Sequence, residues 1–203
     1  MKIHVSKSLL INILIAILII PVLIFGGFLI SKDRDRNSTP KIASSECLPT
    51  FRDGGGPYYL PNSPFQTKIV PDGNNGEKLI VGGYILDTSC SDPLANSVLD
   101  IWQASEEGEY EDEYYRGRIK TDKNGYFKFE TVVPLGYGEG TAYRPPHIHF
   151  KVWLDGKELV TSQMFFDDVK GREGFNDEFI MQIEEKNGVI YASHNIIVPD
   201  FEI

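Results

Sequence analysis

The sequence predicts an all-β protein: a β-sandwich core with long loops, preceded by an N-terminal transmembrane helix. Three observations predict it. Short runs rich in β-branched and aromatic residues recur from residue 78 onward, each closed by a turn signal, and nothing after the N-terminal segment sustains three turns of helical periodicity. Nineteen Gly and 12 Pro among 203 residues favour turns over long helices. The strongest hydrophobicity is confined to one uncharged stretch before residue 31.

Composition bounds the function. Hydrophobic residues make up 41% and charged residues 24%, which supports a packed core rather than a disordered chain. Twenty Lys and Arg against 29 Asp and Glu leave a net charge of −9 with no strong basic run, so no nucleic-acid partner is expected. Two cysteines exclude a disulfide-dense miniprotein and a four-cysteine zinc site.

Residues 1–30 form the first unit. Ser8 to Ile30 carries no charge, and about 20 apolar residues span a bilayer. Lys2 and Lys7 precede it; Lys32, Arg34 and Arg36 follow, offset by Asp33 and Asp35, so charge does not fix its orientation. The apolar run is longer than the core of a cleavable signal peptide and no A-x-A site follows it. An uncleaved membrane anchor is therefore favoured, with a cleaved signal as the rival. Either way the remaining chain is expected on the extracytoplasmic side, membrane-anchored or secreted. Residues 31–45 are polar and aperiodic and read as a linker. Residues 46–203 form the folded domain. Exported, Cys47 and Cys90 either pair, closing a loop worth roughly 4 kcal/mol, or stay as two thiols; sequence gives no distance between them.

Within the domain, Lys78–Leu86 and Ser97–Gln103 read as strands separated by the loop 87–95. Tyr126–Val133 alternates apolar and polar residues after the turn Asp122-Lys123-Asn124-Gly125. His147–Leu154 and Leu159–Phe166 flank the turn Asp155-Gly156. Phe179–Ile183 and Val189–Val198 flank Lys186-Asn187-Gly188, a hairpin signal. Many short strands at such spacing fit a sandwich of the immunoglobulin or prealbumin kind.

His147-Ile148-His149 is the sharpest chemical feature. On a strand the two imidazoles share one face while Ile148 points to the other, and neighbours about 6.6–7 Å apart on one face can converge on a metal. A pair of surface histidines on an edge strand fits the same residues. The preceding Pro145-Pro146 keeps the backbone extended. Tyr110 and Tyr137 are candidate further donors. A phenol titrates near pH 10, but a trivalent cation deprotonates it, and the resulting hard anion suits ferric iron better than zinc. Taken singly, each of the 10 tyrosines also fits as core or turn filler.

The motifs taken together resemble one family. They are Ile101-Trp102-Gln103-Ala104, Gly108-x-Tyr110, Arg116-Gly117-Arg118, Thr121-Asp122-x-x-Gly125-Tyr126-Phe127-x-Phe129, Val133-Pro134-x-Gly136-Tyr137, Arg144-Pro145-Pro146-His147-Ile148-His149-Phe150 and Thr161-x-Gln163-Met164-Phe165-Phe166. In order and spacing they look like the intradiol ring-cleavage dioxygenases, non-haem iron(III) enzymes related to protocatechuate 3,4-dioxygenase and catechol 1,2-dioxygenase. The resemblance runs from about Gly54 to Asp168. It implies an Fe(III) cofactor held by Tyr110, Tyr137, His147 and His149. It implies insertion of O2 between the two hydroxylated carbons of a catecholic ring to give a muconate-type diacid. Tyr137 matches the tyrosine that leaves when substrate chelates, and Arg144 the arginine that stabilises the carbanion-like ring. Gln163 matches a pocket glutamine, and Tyr58 and Tyr59, in Gly56-Pro57-Tyr58-Tyr59, lie in the segment near the substrate pocket. Trp102 and Gln103 match packing and hydrogen-bonding groups behind the ligands, Trp102 also bordering the pocket. A homo-oligomer is compatible with the resemblance.

Two departures stand out. About 45 residues of anchor and linker occupy the place of the long N-terminal helical region of the catechol-type members, which points to the compact, exported type. Glu106, Glu107, Glu109, Glu111, Asp112 and Glu113 surround Tyr110; the run reads as a solvated face, and at an entrance it would repel carboxylated substrates. His194 reads as structural or surface. The alternatives to the enzyme are a non-catalytic sandwich module binding carbohydrate or protein, and a zinc or copper site using only the histidine pair.

Overall fold

Strand β1 (Lys78–Leu86) buries alternate residues Leu79, Val81 and Ile85, the pattern of a strand with one face on a core. It is the hub of a sheet ordered β4 (Tyr126–Val132), β1, β8 (Val189–Ser193), β7 (Gln182–Lys186), with the short β9 (Ile196–Ile197) also paired to β1. A second sheet runs β3 (Arg116–Lys120), β2 (Val98–Gln103), β5 (His147–Leu154), β6 (Lys157–Phe165). β1 pairs in parallel with β8 and β9; every other pairing is antiparallel. The structure, a computed structural model, describes residues 47–167 and 177–199, all within the unit Glu46–Ile203. The expected membrane segment 1–30 and linker 31–45 lie outside the described residues. Among the described residues no helix is long and apolar enough to cross a membrane.

One apolar cluster joins the sheets in a sandwich-like arrangement: Leu79, Val81, Phe127 and Phe129 from the first meet Leu99, Ile101, Ile148, Phe150, Val152 and Met164 from the second. Each such side chain gains about 1.5–3 kcal/mol by leaving water, so the face that Ile148 and Phe150 occupy is fixed. That fixes the opposite face of β5 for His147 and His149.

Four details differ from the sequence reading or complete it. β3 was not legible as a strand, because RGRIK offers one apolar side chain; it forms through its ladder with β2, and Gly117 leaves room for Ile69, whose Cγ2 lies 2.8 Å from where a Cβ would stand. The expected strand Phe179–Ile183 is instead a 3-10 turn, Asp177–Phe179, followed by β7 from Gln182. Phe179 and Ile180 cluster with Phe165, so the apolar run packs against β6 before the ladder begins. The expected strand 189–198 breaks at His194 and Asn195 into β8 and β9. There the carbonyl oxygen of His194 lies 1.8 Å from where a Cβ of residue 83 would stand, an approach that only Gly83 permits. The hairpin at Asn187-Gly188 forms as expected, with both residues left-handed (φ 54° and 72°).

Cys47 and Cys90 are joined in a disulfide, with Cα atoms 5.9 Å apart. It fastens the start of the domain to the loop after β1. Thr50 pairs its backbone with Ile197 (2.8 Å), and Asp53 pairs with Thr161 of β6 (2.9 Å), so residues 50–53 run on towards the second sheet.

Candidate metal centre

The strand period brings the histidines together. The Nε2 atoms of His147 and His149 face each other at 3.0 Å. Both rings are buried, at 2% and 3% exposure. Opposite them stand the phenols of Tyr110, from the loop between β2 and β3, and Tyr137, from the loop between β4 and β5, with their hydroxyl oxygens 3.4 Å apart. The four rings close a circuit. Centroid separations are 4.6 Å from His147 to His149, 6.4 Å from His149 to Tyr110, 5.5 Å from Tyr110 to Tyr137, and 5.6 Å from Tyr137 to His147.

Backbone contacts hold the tyrosines there. Leu135 donates its N–H to the carbonyl of Ser105 (3.0 Å), joining the two loops. Gly108 is left-handed (φ +83°), and a Cβ there would sit 3.4 Å from the carbonyl oxygen of Gly136, so glycine lets the loops close. Buried Arg116 donates Nε and Nη2 to the carbonyl of Glu111 (2.9 and 2.6 Å), fixing the loop just beyond Tyr110. Tyr137 and Arg144 exchange both backbone hydrogen bonds (3.0 and 2.8 Å), so a short ladder sets Tyr137 and Arg144 together. Buried Gln103 ties the end of β2 to β4, donating to the Val132 carbonyl (3.0 Å) and accepting from Thr131 (3.0 Å).

Electrostatics prepare this set for a cation. Burial pushes His147 down to about 4 and His149 to about 3, so both are neutral at physiological pH. The Nδ1 of His147 lies 2.6 Å from the carbonyl of Pro145; it therefore carries the ring proton, and Nε2 presents a lone pair to the centre. Burial first, then Tyr137, raises the Tyr110 phenol above its ordinary range, so it ionises only if a cation lies alongside. Among the described residues no three His, Cys, Asp or Glu side chains gather for a metal, so a full donor set here draws on the tyrosines. Two buried imidazoles facing two half-buried phenols fit ferric iron by donor chemistry.

The other residues expected at the site divide. Tyr58 stacks on Tyr110 (4.1 Å, 9°) and meets Tyr137 edge-on (6.2 Å), forming an exposed wall of the centre. Arg144 donates Nη2 to the Oε1 of Gln163 (2.6 Å), which stands beside His149 across β5 and β6. Trp102 is buried behind His149 rather than open to a pocket. Tyr59 tilts over the far side of Trp102 (4.8 Å) and donates its hydroxyl to Asp100 (3.0 Å); burial and the Asp100 charge push that phenol up to about 12. Tyr59 thus borders a separate cavity of about 330 Å³ with Phe65, Arg118 and Trp153. Most of the acidic run around Tyr110 is exposed, as expected, but Glu106 accepts hydrogen bonds from Asn74 and Tyr115. His194 is buried beside Phe150, a structural placement. Sequence reasoning did not single out Asp53, whose carboxylate accepts from Gln163; an aspartate in a glycine-rich segment carries no local signal.

Residues 55–196 match the sequence profile described as Dioxygenase. A chlorocatechol 1,2-dioxygenase of Pseudomonas putida is 30% identical over 138 residues, covering 57% of this chain and 53% of the relative. A catechol 1,2-dioxygenase of Acinetobacter baylyi is 32% identical over 157 residues, covering 64% of this chain and 49% of the relative. Among solved structures, the dioxygenase domain of a dioxygenase and carbohydrate-binding protein fusion from Streptomyces sp. SirexAA-E superposes with a TM-score of 0.66 at 29% identity, covering 75% of this chain and 99% of that domain. The fold and the sequence matches point to one class, the dioxygenases. The chain belongs to the intradiol dioxygenase family. It spans about half the length of the curated relatives it matches.

Proposed function

We propose that the chain is a non-haem iron(III) enzyme that inserts both atoms of O2 between the hydroxylated carbons of a catecholic ring, giving a muconate-type diacid. The observation that carries this reading is the closed circuit of Tyr110, Tyr137, His147 and His149. A binding module has no use for two neutral, buried imidazoles facing two phenols, and a site using the histidines alone leaves the tyrosines unexplained.

Bound ferric iron supplies a Lewis-acidic, electron-accepting centre at which a catechol becomes reactive towards O2. The residues do the rest. His147 and His149 stay neutral because they are buried, and the Pro145 carbonyl keeps the proton of His147 away from the centre. Tyr137 lies on a partly exposed loop; once a bound cation had displaced its proton, its oxygen would be the group placed to accept a proton from one substrate hydroxyl. Arg144 supplies a fixed positive charge for the electron-rich ring. Tyr58 walls the open side, while Trp102 and Phe165 pack the rear of the imidazoles against water.

The domain acts on the extracytoplasmic side, anchored by the apolar stretch of residues 8–30 or secreted. The Cys47–Cys90 disulfide supports this, since such bonds persist in oxidising compartments. The test is the visible spectrum of the purified chain, with metal analysis, before and after anaerobic addition of catechol. Stoichiometric iron and a red-to-purple band that shifts with catechol are expected. A protein that stays colourless after iron reconstitution overturns the reading.

A further inference from the structure

Arg144 does not stand alone. Its Nη2 donates to the Oε1 of Gln163 (2.6 Å), and the Nε2 of Gln163 donates to the Oδ2 of Asp53. The other carboxylate oxygen of Asp53 accepts from the backbone N–H of Gly54 (2.7 Å), and the backbone N–H of Asp53 donates to the carbonyl of Thr161 (2.9 Å). Three separate pieces of chain therefore meet in one directed line: the segment before Tyr58, strand β6, and the loop before His147. Gln163, the middle member, is 1% exposed.

An amide offers a donor at one end and an acceptor at the other, and the two ends have nearly the same shape. Gln163 could turn over in its pocket. Turned over, it would set an N–H2 group against the guanidinium of Arg144, donor against donor. An ionised carboxylate only accepts, so a carboxylate at position 53 holds the N–H2 end outward and the oxygen toward Arg144. It also places a negative charge at the far end of the line, which favours the positive charge at the near end.

We infer that Asp53 is a positioning residue that sets the orientation of Arg144 through the side-chain amide of Gln163. The inference rests on the proposed dioxygenase reading for its effect on catalysis, but the geometry it asserts is independent of turnover. Asp53 hydrogen-bonds Gln163, Gly54 and Thr161 rather than a ring of the circuit, so its removal leaves the four donors in place. It acts on the charge that Arg144 presents to the reacting ring, a role that calls for fixed orientation more than for binding.

The test compares the wild-type chain with Asp53→Ala and Asp53→Asn by crystal structure, iron content, visible spectrum and steady-state turnover of catechol. In Asp53→Ala, Gln163 is expected to turn over or Arg144 to swing away, with iron content and the visible band unchanged. Its kcat should fall about tenfold to a hundredfold with little change in KM. Asp53→Asn keeps one acceptor and should recover part of the rate and the native Arg144 position. The inference is overturned if Gln163 and Arg144 keep their places in Asp53→Ala, or if kcat stays within about twofold of wild type. It is also overturned if both variants lose iron and stability together, which marks Asp53 as a structural tether alone. A wild-type chain that holds no iron overturns the dioxygenase reading instead, and the side-chain positions in the three structures then decide the relay by themselves.

Discussion

The indole of Trp102 lies parallel to the imidazole of His149, with planes 3° apart and ring centroids 5.0 Å apart. The two residues are direct partners in the ladder between β2 and β5. The stack matters because the two histidines are held differently. His147 donates its Nδ1 proton to the Pro145 carbonyl, whereas the Nδ1 of His149 is buried without a hydrogen-bond partner among the described residues. The rotation of the His149 ring therefore rests on packing: Trp102 on one side, and Gly56, where a Cβ would come within 3.4 Å of Cε1, on another.

Trp102→Leu should accordingly loosen His149 while leaving His147 in place. Iron affinity is expected to fall about tenfold to a hundredfold, the usual cost of losing a group that orients a ligand. Trp102→Phe keeps an aromatic face against the imidazole and should retain most of it. Iron retained after dialysis against graded chelator measures both. Equal retention in Trp102→Leu and wild type would show that the stack does not orient the ligand.

Tyr137→Phe should fold normally, because Tyr137 is held by its backbone pairing with Arg144 rather than by its hydroxyl. The variant loses one of the two phenols and the proposed proton acceptor together. Its visible band should shift or vanish, and turnover should drop by about a hundredfold or more. A spectrum and rate matching wild type would remove Tyr137 from the centre.

What the sequence could show follows from how local each feature is. β1 and β5 were legible to the residue because turn signals close both and polar and apolar residues alternate along residues 147–152, although β5 is buried on both faces where β1 is buried mainly on one. β3 was hidden because it is carried by a backbone ladder and by Gly117 rather than by apolar side chains. The break at His194 depends on a glycine more than 100 residues away, as the register of Gly82 with Ser193 shows. At the site, the shared face of His147 and His149 follows from the strand period alone. The tyrosines did not follow from any spacing; donor chemistry made Tyr110 and Tyr137 candidates and the family resemblance singled them out, since the approach of their loops at Gly108 and Gly136 is a tertiary contact. The pairing of Cys47 with Cys90 and the bond from Gln163 to Asp53 were illegible for the same reason.

The disulfide should matter to stability more than to the centre itself. Its two cysteines are 43 residues apart in sequence, and closing a loop of that size in the unfolded chain is worth about 4 kcal/mol in the chain-entropy model. Cys47→Ser with Cys90→Ser should lower the unfolding free energy by about that amount in urea titrations, with the ring circuit intact. Because the bond also fastens the segment that leads to Asp53 and Tyr58, kcat is expected to suffer before iron content does. A double variant as stable as wild type would mean that the unfolded chain is already constrained there.

Stability should also fall as pH is lowered through the histidine range, and His194 provides the clean case. It is buried against the first sheet, away from the metal centre, and burial pushes it down to about 4, partly offset by a hydrogen bond to the Ile180 backbone. In the unfolded chain the same group takes up a proton near pH 6.5. Between those values the unfolded state binds more protons than the folded one, so unfolding becomes easier as pH falls, by about 1.4 kcal/mol per unit for each such group once below pH 6.5. His147 and His149 add to the slope in metal-free protein, since they too are pushed down by burial. Glu158, held below its ordinary range, loses its contribution at lower pH, and Asp100, pushed up by burial, works against the slope equally in wild type and in a His194 variant, so between pH 6.5 and 5 the difference between the two isolates His194. His194→Gln should remove one group's share of the slope in that interval. Urea titrations of the metal-free protein at closely spaced pH values measure it. An unchanged slope would show that His194 is already protonated in the folded state, against its burial.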